Sequence, residues 1–218
     1  NPYLRISEQL IEPLLIHGQA NRKEALKRAI TMLEKVGMSD AAERVHSYPH
    51  EFSGGMRQRV MIAMALITDP EVLIADEPTT ALDVTIQLQY LRLLKDIQAE
   101  TGLAIIFITH DFGIVAKMCD RVAVMYAGRV AEIADVRDLF NNPAHPYTEA
   151  LMRSVPNVDE EVEYLYAIEG QPPALDNLPP GCTFAPRCPY VFDRCNEEFP
   201  DLINVGDGHS ATCWKLAK

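Results

Sequence analysis

Asp76 and Glu77 stand at the end of the apolar run Val72 to Ala75, and His110 stands just past the end of a second run, Ala104 to Ile108. A carboxylate at the end of a buried strand can hold the water shell of a magnesium ion, which takes oxygen ligands and keeps several waters. Asp76 suits that task. Glu77, projecting differently, suits orienting or deprotonating a water that attacks phosphorus. Taken alone, an Asp-Glu pair after a strand is more often a loop acid or helix cap, and a single histidine is more often a hydrogen-bonded structural residue. Placed at neighbouring strand ends, Glu77 and His110 together read as a base and a donor to a terminal phosphate. Ser53-Gly54-Gly55 immediately precedes a helical pattern, so a hydroxyl, free backbone N–H groups and the positive end of a helix dipole can converge on one anion. The bland alternative is a serine-capped helix after a glycine turn. A third constellation, Cys182, Cys188, Cys195 and Cys213, gathers four thiols in a proline-broken stretch.

These side chains need elements to position them. Leu26, Ala29, Ile30, Leu33 and Val36 recur at three- and four-residue spacing, so the stretch from Asn1 to Tyr48 reads as helical, with Asn21 and Glu24 capping one helix and Gly37 ending it. A further helix spans roughly Gly55 to Ile67, stopped by Asp69-Pro70. Val72 to Ala75, a helix over Thr85 to Glu100 and Ala104 to Ile108 form a β-α-β unit, with Ile86, Leu91, Leu94 and Ile97 as inward positions. Unbroken apolar strands predict a parallel sheet covered on both faces, with ligands at the carboxyl ends of the strands. After a helix over Phe112 to Lys117, Val122 to Met125 and Arg129 to Ile133 read as a hairpin around Ala127-Gly128. From Pro143 onward, prolines including Pro146, Pro156, Pro172, Pro173 and Pro180 break up long elements, which sets a boundary near Asn141 to Pro146 and predicts a loop-rich tail with a thin core.

The net charge of −11 repels phosphate backbones and argues against nucleic acid as the principal partner. The longest apolar run, Val60 to Ile67, falls short of the roughly 20 residues of a spanning helix. Cys119 reads as a small buried apolar residue. For the four clustered cysteines, disulfides suit a reducing compartment poorly, and the readings are an iron–sulfur cluster, unlinked thiols in a small core, or zinc, which normally shows a tight C-x2-4-C pair that is absent here.

The series Phe52-Ser53-Gly54-Gly55-Met56-Arg57-Gln58-Arg59, Leu73-Ile74-Ala75-Asp76-Glu77-Pro78-Thr79-Thr80-Ala81-Leu82-Asp83 and Ile108-Thr109-His110-Asp111 resembles the signature, Walker B, D-loop and switch-histidine motifs of ABC transporter ATPases. The resemblance implies an α/β fold: part of a P-loop NTPase-like ABC ATPase domain over 1–142, with a helical subdomain at 1–50, the signature at 52–59 and Walker B and D-loop at 72–83. It implies that Asp76 assists Mg2+, Glu77 is the general base and His110 senses the γ-phosphate. It places Asp83 at the interface of two nucleotide-binding domains, and Ser53, Gly54, Gly55 and Gln58 against the ATP of the opposite subunit. The family's phosphate-cradling G-x-x-x-x-G-K-[ST] loop and glutamine loop belong ahead of the helical subdomain, and none of the eleven glycines here is followed by lysine. This chain by itself is therefore expected not to hydrolyse ATP.

Pro143-Ala144-His145-Pro146-Tyr147-Thr148, Gly170-Gln171-Pro172-Pro173 and Cys182-Thr183-Phe184-Ala185-Pro186-Arg187-Cys188-Pro189 resemble the C-terminal extension of ATPase subunits from bacterial oligopeptide and dipeptide importers. That resemblance implies an extension at 143–218 with a 4Fe-4S cluster on Cys182, Cys188, Cys195 and Cys213. It also implies a location on the cytoplasmic face of the cell membrane, a second homologous ATPase, two transmembrane permease subunits docked on the helical region, and an extracytoplasmic peptide-binding protein acting indirectly. Nickel importers share much of the pattern, and a soluble ABC protein of repair or translation is the reading from another class.

Overall fold

The computed structural model describes residues 1–80, 82–155 and 166–217; Ala81 of the D-loop stretch and Pro156 of the proline series lie outside them. The chain forms two compact units, 1–110 and 111–218. The sequence boundary near 141–146 falls inside the second.

The first unit begins with α1 (Ile6–Ile16), α2 (Arg22–Lys35) and α3 (Ala41–Arg44). Asn21 starts α2 through a reciprocal capping box, accepting from the N–H groups of Lys23 and Glu24 while the Glu24 side chain reaches back to it. Gly37, at φ +79°, ends the helix, and the next residue's N–H returns to the Leu33 carbonyl at 2.9 Å. Leu10, Leu14, Ala29, Leu33 and Val45 are fully buried where these helices meet. The apolar period of the sequence is thus the packing face of the helical region.

Next come α4 (Gly54–Leu66), β1 (Val72–Asp76), α5 (Val84–Thr101) and β2 (Ala104–Ile108). β1 and β2 pair in parallel with Asp76 opposite Ile108, as the β-α-β pattern requires. Leu91, Leu94 and Ile97 are buried as expected, whereas Ile86 is half-buried at the α4–α5 junction. The expected covering of both sheet faces is not met among the described residues. Val72, Ile74, Ile106 and Ile108 share one face by alternation and are exposed, Ile74 at 64%. The reason is topological: a single crossover helix can cover only one face of the sheet it bridges.

The second unit holds α6 (Phe112–Met118), β3 (Arg121–Tyr126), β4 (Arg129–Asp135), α7 (Val136–Asn141), α8 (Pro146–Ser154), α9 (Asp193–Glu197), β5 (Ile203–Gly206) and β6 (His209–Ala211). The predicted hairpin is present, with Ala127 and Gly128 both at positive φ, the geometry of a tight primed turn. Sequence reading missed β5 and β6, which extend that hairpin into a four-stranded antiparallel sheet in the order β3-β4-β6-β5. The expectation of a thin tail core is corrected by the same pairing. Phe184, 1% exposed, packs edge-on against Tyr126 at 5.3 Å between ring centroids and also touches Tyr147, so the tail shares the hairpin's core.

Candidate functional site

Asp76 is the last residue of β1, and the backbone N–H of Glu77 continues the ladder by one bond, donating to the Ile108 carbonyl at 2.9 Å. Glu77 then turns at φ +45°, a left-handed conformation that a non-glycine residue adopts only where its surroundings hold it. That turn aims the side chain at the end of β2. His110 Nδ1 lies 2.7 Å from Glu77 Oε1, and the Thr80 hydroxyl donates to Oε2 at 2.6 Å. These two bonds, Thr80 first and His110 second, hold the Glu77 carboxyl below its usual range. The pair is open to solvent, with the His110 side chain 76% exposed.

Ser53 caps α4, its Oγ accepting from Met56 N–H at 3.3 Å, and Gly54 and Gly55 occupy the first turn, so the helix start keeps free donors. Gly55 faces α5: a Cβ there would lie 3.3 Å from a methyl of Ile86. Gln58 is turned into the same junction, lining a small pocket with Arg59, Tyr90 and Leu93, and its Oε1 is buried without a partner among the described residues. Asp83 caps α5, accepting from Ile86 N–H at 3.0 Å. Two contacts escaped sequence reasoning here. Thr80 on Glu77 is one; the other is the Arg59 guanidinium, which donates to the Val36 carbonyl at the C-terminal end of α2.

In the second unit Cys182, Cys188, Cys195 and Cys213 line one pocket, together with His145 and Phe184. They come from three separate places: the loop around a short 3-10 turn at Ala185–Arg187, α9, and the stretch after β6. Burial pushes the Cys182 and Cys188 thiols up and Cys213 to about 11, and each thiol's negative form is further disfavoured by the other cysteines. Among the described residues no three Cys, His, Asp or Glu side chains are drawn together closely enough to hold a single metal ion.

Behind this pocket sits a group that the sequence did not reveal. Glu132, fully buried on β4, accepts from the N–H groups of Ala144 at 2.8 Å and His145 at 2.9 Å and from His209 Nε2 at 2.7 Å. His145 is kept neutral by burial, its pKa lowered to about 4 against the pull of Glu132, and its Nδ1 accepts from Tyr147 N–H. Among the described residues no helix is long and apolar enough to cross a membrane.

Comparison with known proteins agrees with both units. Residues 1–80 match the ABC transporter family, and residues 131–195 match the family described as the oligopeptide/dipeptide transporter C-terminal region. The Bacillus subtilis dipeptide transport ATP-binding protein DppD is 52% identical over 214 residues, 98% of this chain and 64% of that protein. The chain belongs to the oligopeptide/dipeptide branch of the ABC transporter ATPases. Another member, the Salmonella typhimurium oligopeptide transport ATP-binding protein OppD, is 51% identical over 99% of this chain and 64% of its own length. The chain thus spans a little under two thirds of these relatives. Among solved structures, the dimeric bacterial ABC transporter cassette MJ0796 shares the α/β cassette fold at a TM-score of 0.53 and 31% identity, over 63% of this chain and 59% of that one.

Proposed function

We propose that this chain is part of the ATP-hydrolysing subunit of a peptide importer, peripheral on the cytoplasmic face of the membrane. The observation that carries the reading is the 2.7 Å pair of Glu77 and His110, set at the carboxyl ends of two parallel strands one residue beyond Asp76. Such strand ends are where open α/β sheets bind ligands. Asp76 holds the water shell of Mg2+, which when bound neutralises phosphate charge. Glu77 takes the proton of the water that attacks the γ-phosphorus, and His110 steadies both that carboxylate and the terminal phosphate. Ser53, Gly54 and Gly55 clamp the ATP of the second ATPase subunit through the N-terminus of α4. Gln58 belongs to the same clamp by the resemblance, although its amide oxygen is buried at the α4–α5 junction, and Asp83 stands at the subunit interface. The names of DppD and OppD support dipeptides or oligopeptides as cargo. By the resemblance of the motifs, the cargo would be delivered by an external binding protein and would pass through two membrane permeases.

The four-thiol pocket is proposed to hold a 4Fe-4S cluster on Cys182, Cys188, Cys195 and Cys213. Four cysteines sharing one lining supply the donor set. Bound there, a cluster would tie α9 to the loop around Ala185–Arg187 and to the stretch after β6.

Glu77→Gln in the complete subunit tests the ATPase reading: it binds ATP and loses turnover by about 100-fold or more, the range for removing a general base. Normal turnover would sink the assignment. Anaerobically purified protein is expected to be brown, with about four irons and four sulfides per chain; colourless protein with stoichiometric zinc would overturn the cluster.

A further inference from the structure

We propose that Thr80 is a positioning residue for Glu77, fixing the plane of its carboxylate through a hydrogen bond that the His110 contact alone cannot replace. The inference rests on the reading of Glu77 as general base, and goes beyond it by adding a member to that site.

The geometry is local and doubly constrained. After Glu77 enters the left-handed region, Pro78 and Thr79 carry the chain around a turn, closed by Thr80 N–H reaching the Glu77 carbonyl at 3.4 Å. This brings the Thr80 hydroxyl back over the side chain it follows by three residues, where it donates to Oε2 at 2.6 Å. His110 meets the other oxygen, Oε1, at 2.7 Å. A carboxylate held on one oxygen can swing about its terminal torsion, which is broad and soft. Held on both, it keeps one orientation, and each oxygen retains a second lone pair for the proton of a water. Threonine suits this better than a freely rotating donor, because its branched Cβ limits χ1 and so aims the hydroxyl. The neighbouring Thr79 is buried and cannot substitute, so the bond belongs to position 80. General-base catalysis is sensitive to such aim, since small misplacements of a reacting group cost large factors in rate.

The test uses the complete ATPase subunit assembled with its membrane partners. Thr80→Val keeps the shape and removes the donor: kcat for ATP hydrolysis falls about 10-fold, while ATP affinity and KM stay within about two-fold. Thr80→Ser, which restores the donor, recovers turnover to within about two-fold of the parent. Should Thr80→Val fail to bind ATP, Thr80→Ala carries the same expectation. In single turnover the double variant Thr80→Val/Glu77→Gln is no slower than Glu77→Gln alone, because the hydroxyl acts only through the carboxylate. Wild-type turnover in Thr80→Val beside a dead Glu77→Gln overturns the positioning role and leaves the base standing. Normal turnover in Glu77→Gln removes both. A loss that adds in full to that of Glu77→Gln, or a drop that serine does not rescue, also overturns the proposal.

Discussion

Glu132 and His209, 77 residues apart, meet at 2.7 Å in the interior of the second unit, where the carboxylate also receives the two backbone N–H groups that open α8. One side chain therefore ties the centre of β4 to β6 and to the entry of α8. Burying a carboxylate is costly unless its lone pairs are filled, and here three donors fill them.

Removal of that carboxylate leaves His209 and two N–H groups buried without an acceptor. Glu132→Ala should destabilise the second unit by about 3 kcal/mol or more, and Glu132→Gln by less, because its amide oxygen still accepts one bond. Denaturant unfolding followed by Trp214 fluorescence measures both, and equal stability of Glu132→Ala and parent would refute the tie.

Gly181 is expected to tolerate no side chain. A Cβ there would overlap the Cys195 carbonyl and the Asn196 backbone, while the adjacent Cys182 N–H donates to that same carbonyl at 2.8 Å. Gly181→Ala forces the two loops apart and should cost about 1–3 kcal/mol. Thermal melting checks it: the variant should melt earlier, and an unchanged transition would show that the loops can part without cost.

Acid should weaken the second unit through His145. Its folded pKa of about 4 lies below the usual 6.5, with burial as the main cause and Glu132 as the charged neighbour opposing it. The unfolded chain takes up the proton first as pH falls, so this stability is present in full above about 6.5 and is lost between about 6.5 and 4. The loss is on the order of 3 kcal/mol. His145→Asn keeps a side-chain acceptor for Tyr147 N–H and should flatten the slope in that window. Unfolding curves at pH 4.5 and 7 compare the two proteins, and identical slopes would count against burial of neutral His145.

In the helical region Asn21→Ala removes the side-chain half of the capping box, leaving its backbone N–H on Glu24, and should cost about 1 kcal/mol, without touching Glu77 or the thiols. Differential melting of the complete subunit is sensitive enough to detect it. An unchanged transition would show that α2 is held by packing alone.

Much of the ATPase half was legible along the chain. The capping box at Asn21, the stop at Gly37, the parallel strands and the Ala127-Gly128 turn are all local patterns, and each appears where its residues place it. The nearness of Glu77 to His110 followed from adjacent parallel strands ending together. The C-terminal sheet was not legible, because β6 has only three residues and no alternating pattern to announce it. Glu132 drew no reading from the sequence, because nothing at position 132 announces a histidine 77 residues later.

The class of machine came from the resemblance of the motifs to a known family, while residue types and their spacing alone determined the strand ends that carry Asp76, Glu77 and His110 and the helix start at Ser53. Those features depend on hydrogen bonds and periodicities that repeat every few residues, so they can be read in order along the chain. Tertiary structure decided which oxygen of Glu77 each partner holds, that Gln58 faces inward, and that four cysteines from three places share one pocket. It also decided that a glutamate at the centre of a strand is fully buried. Such outcomes depend on which distant segments meet, and the free energy of burying a polar group is set by the partners that only packing supplies.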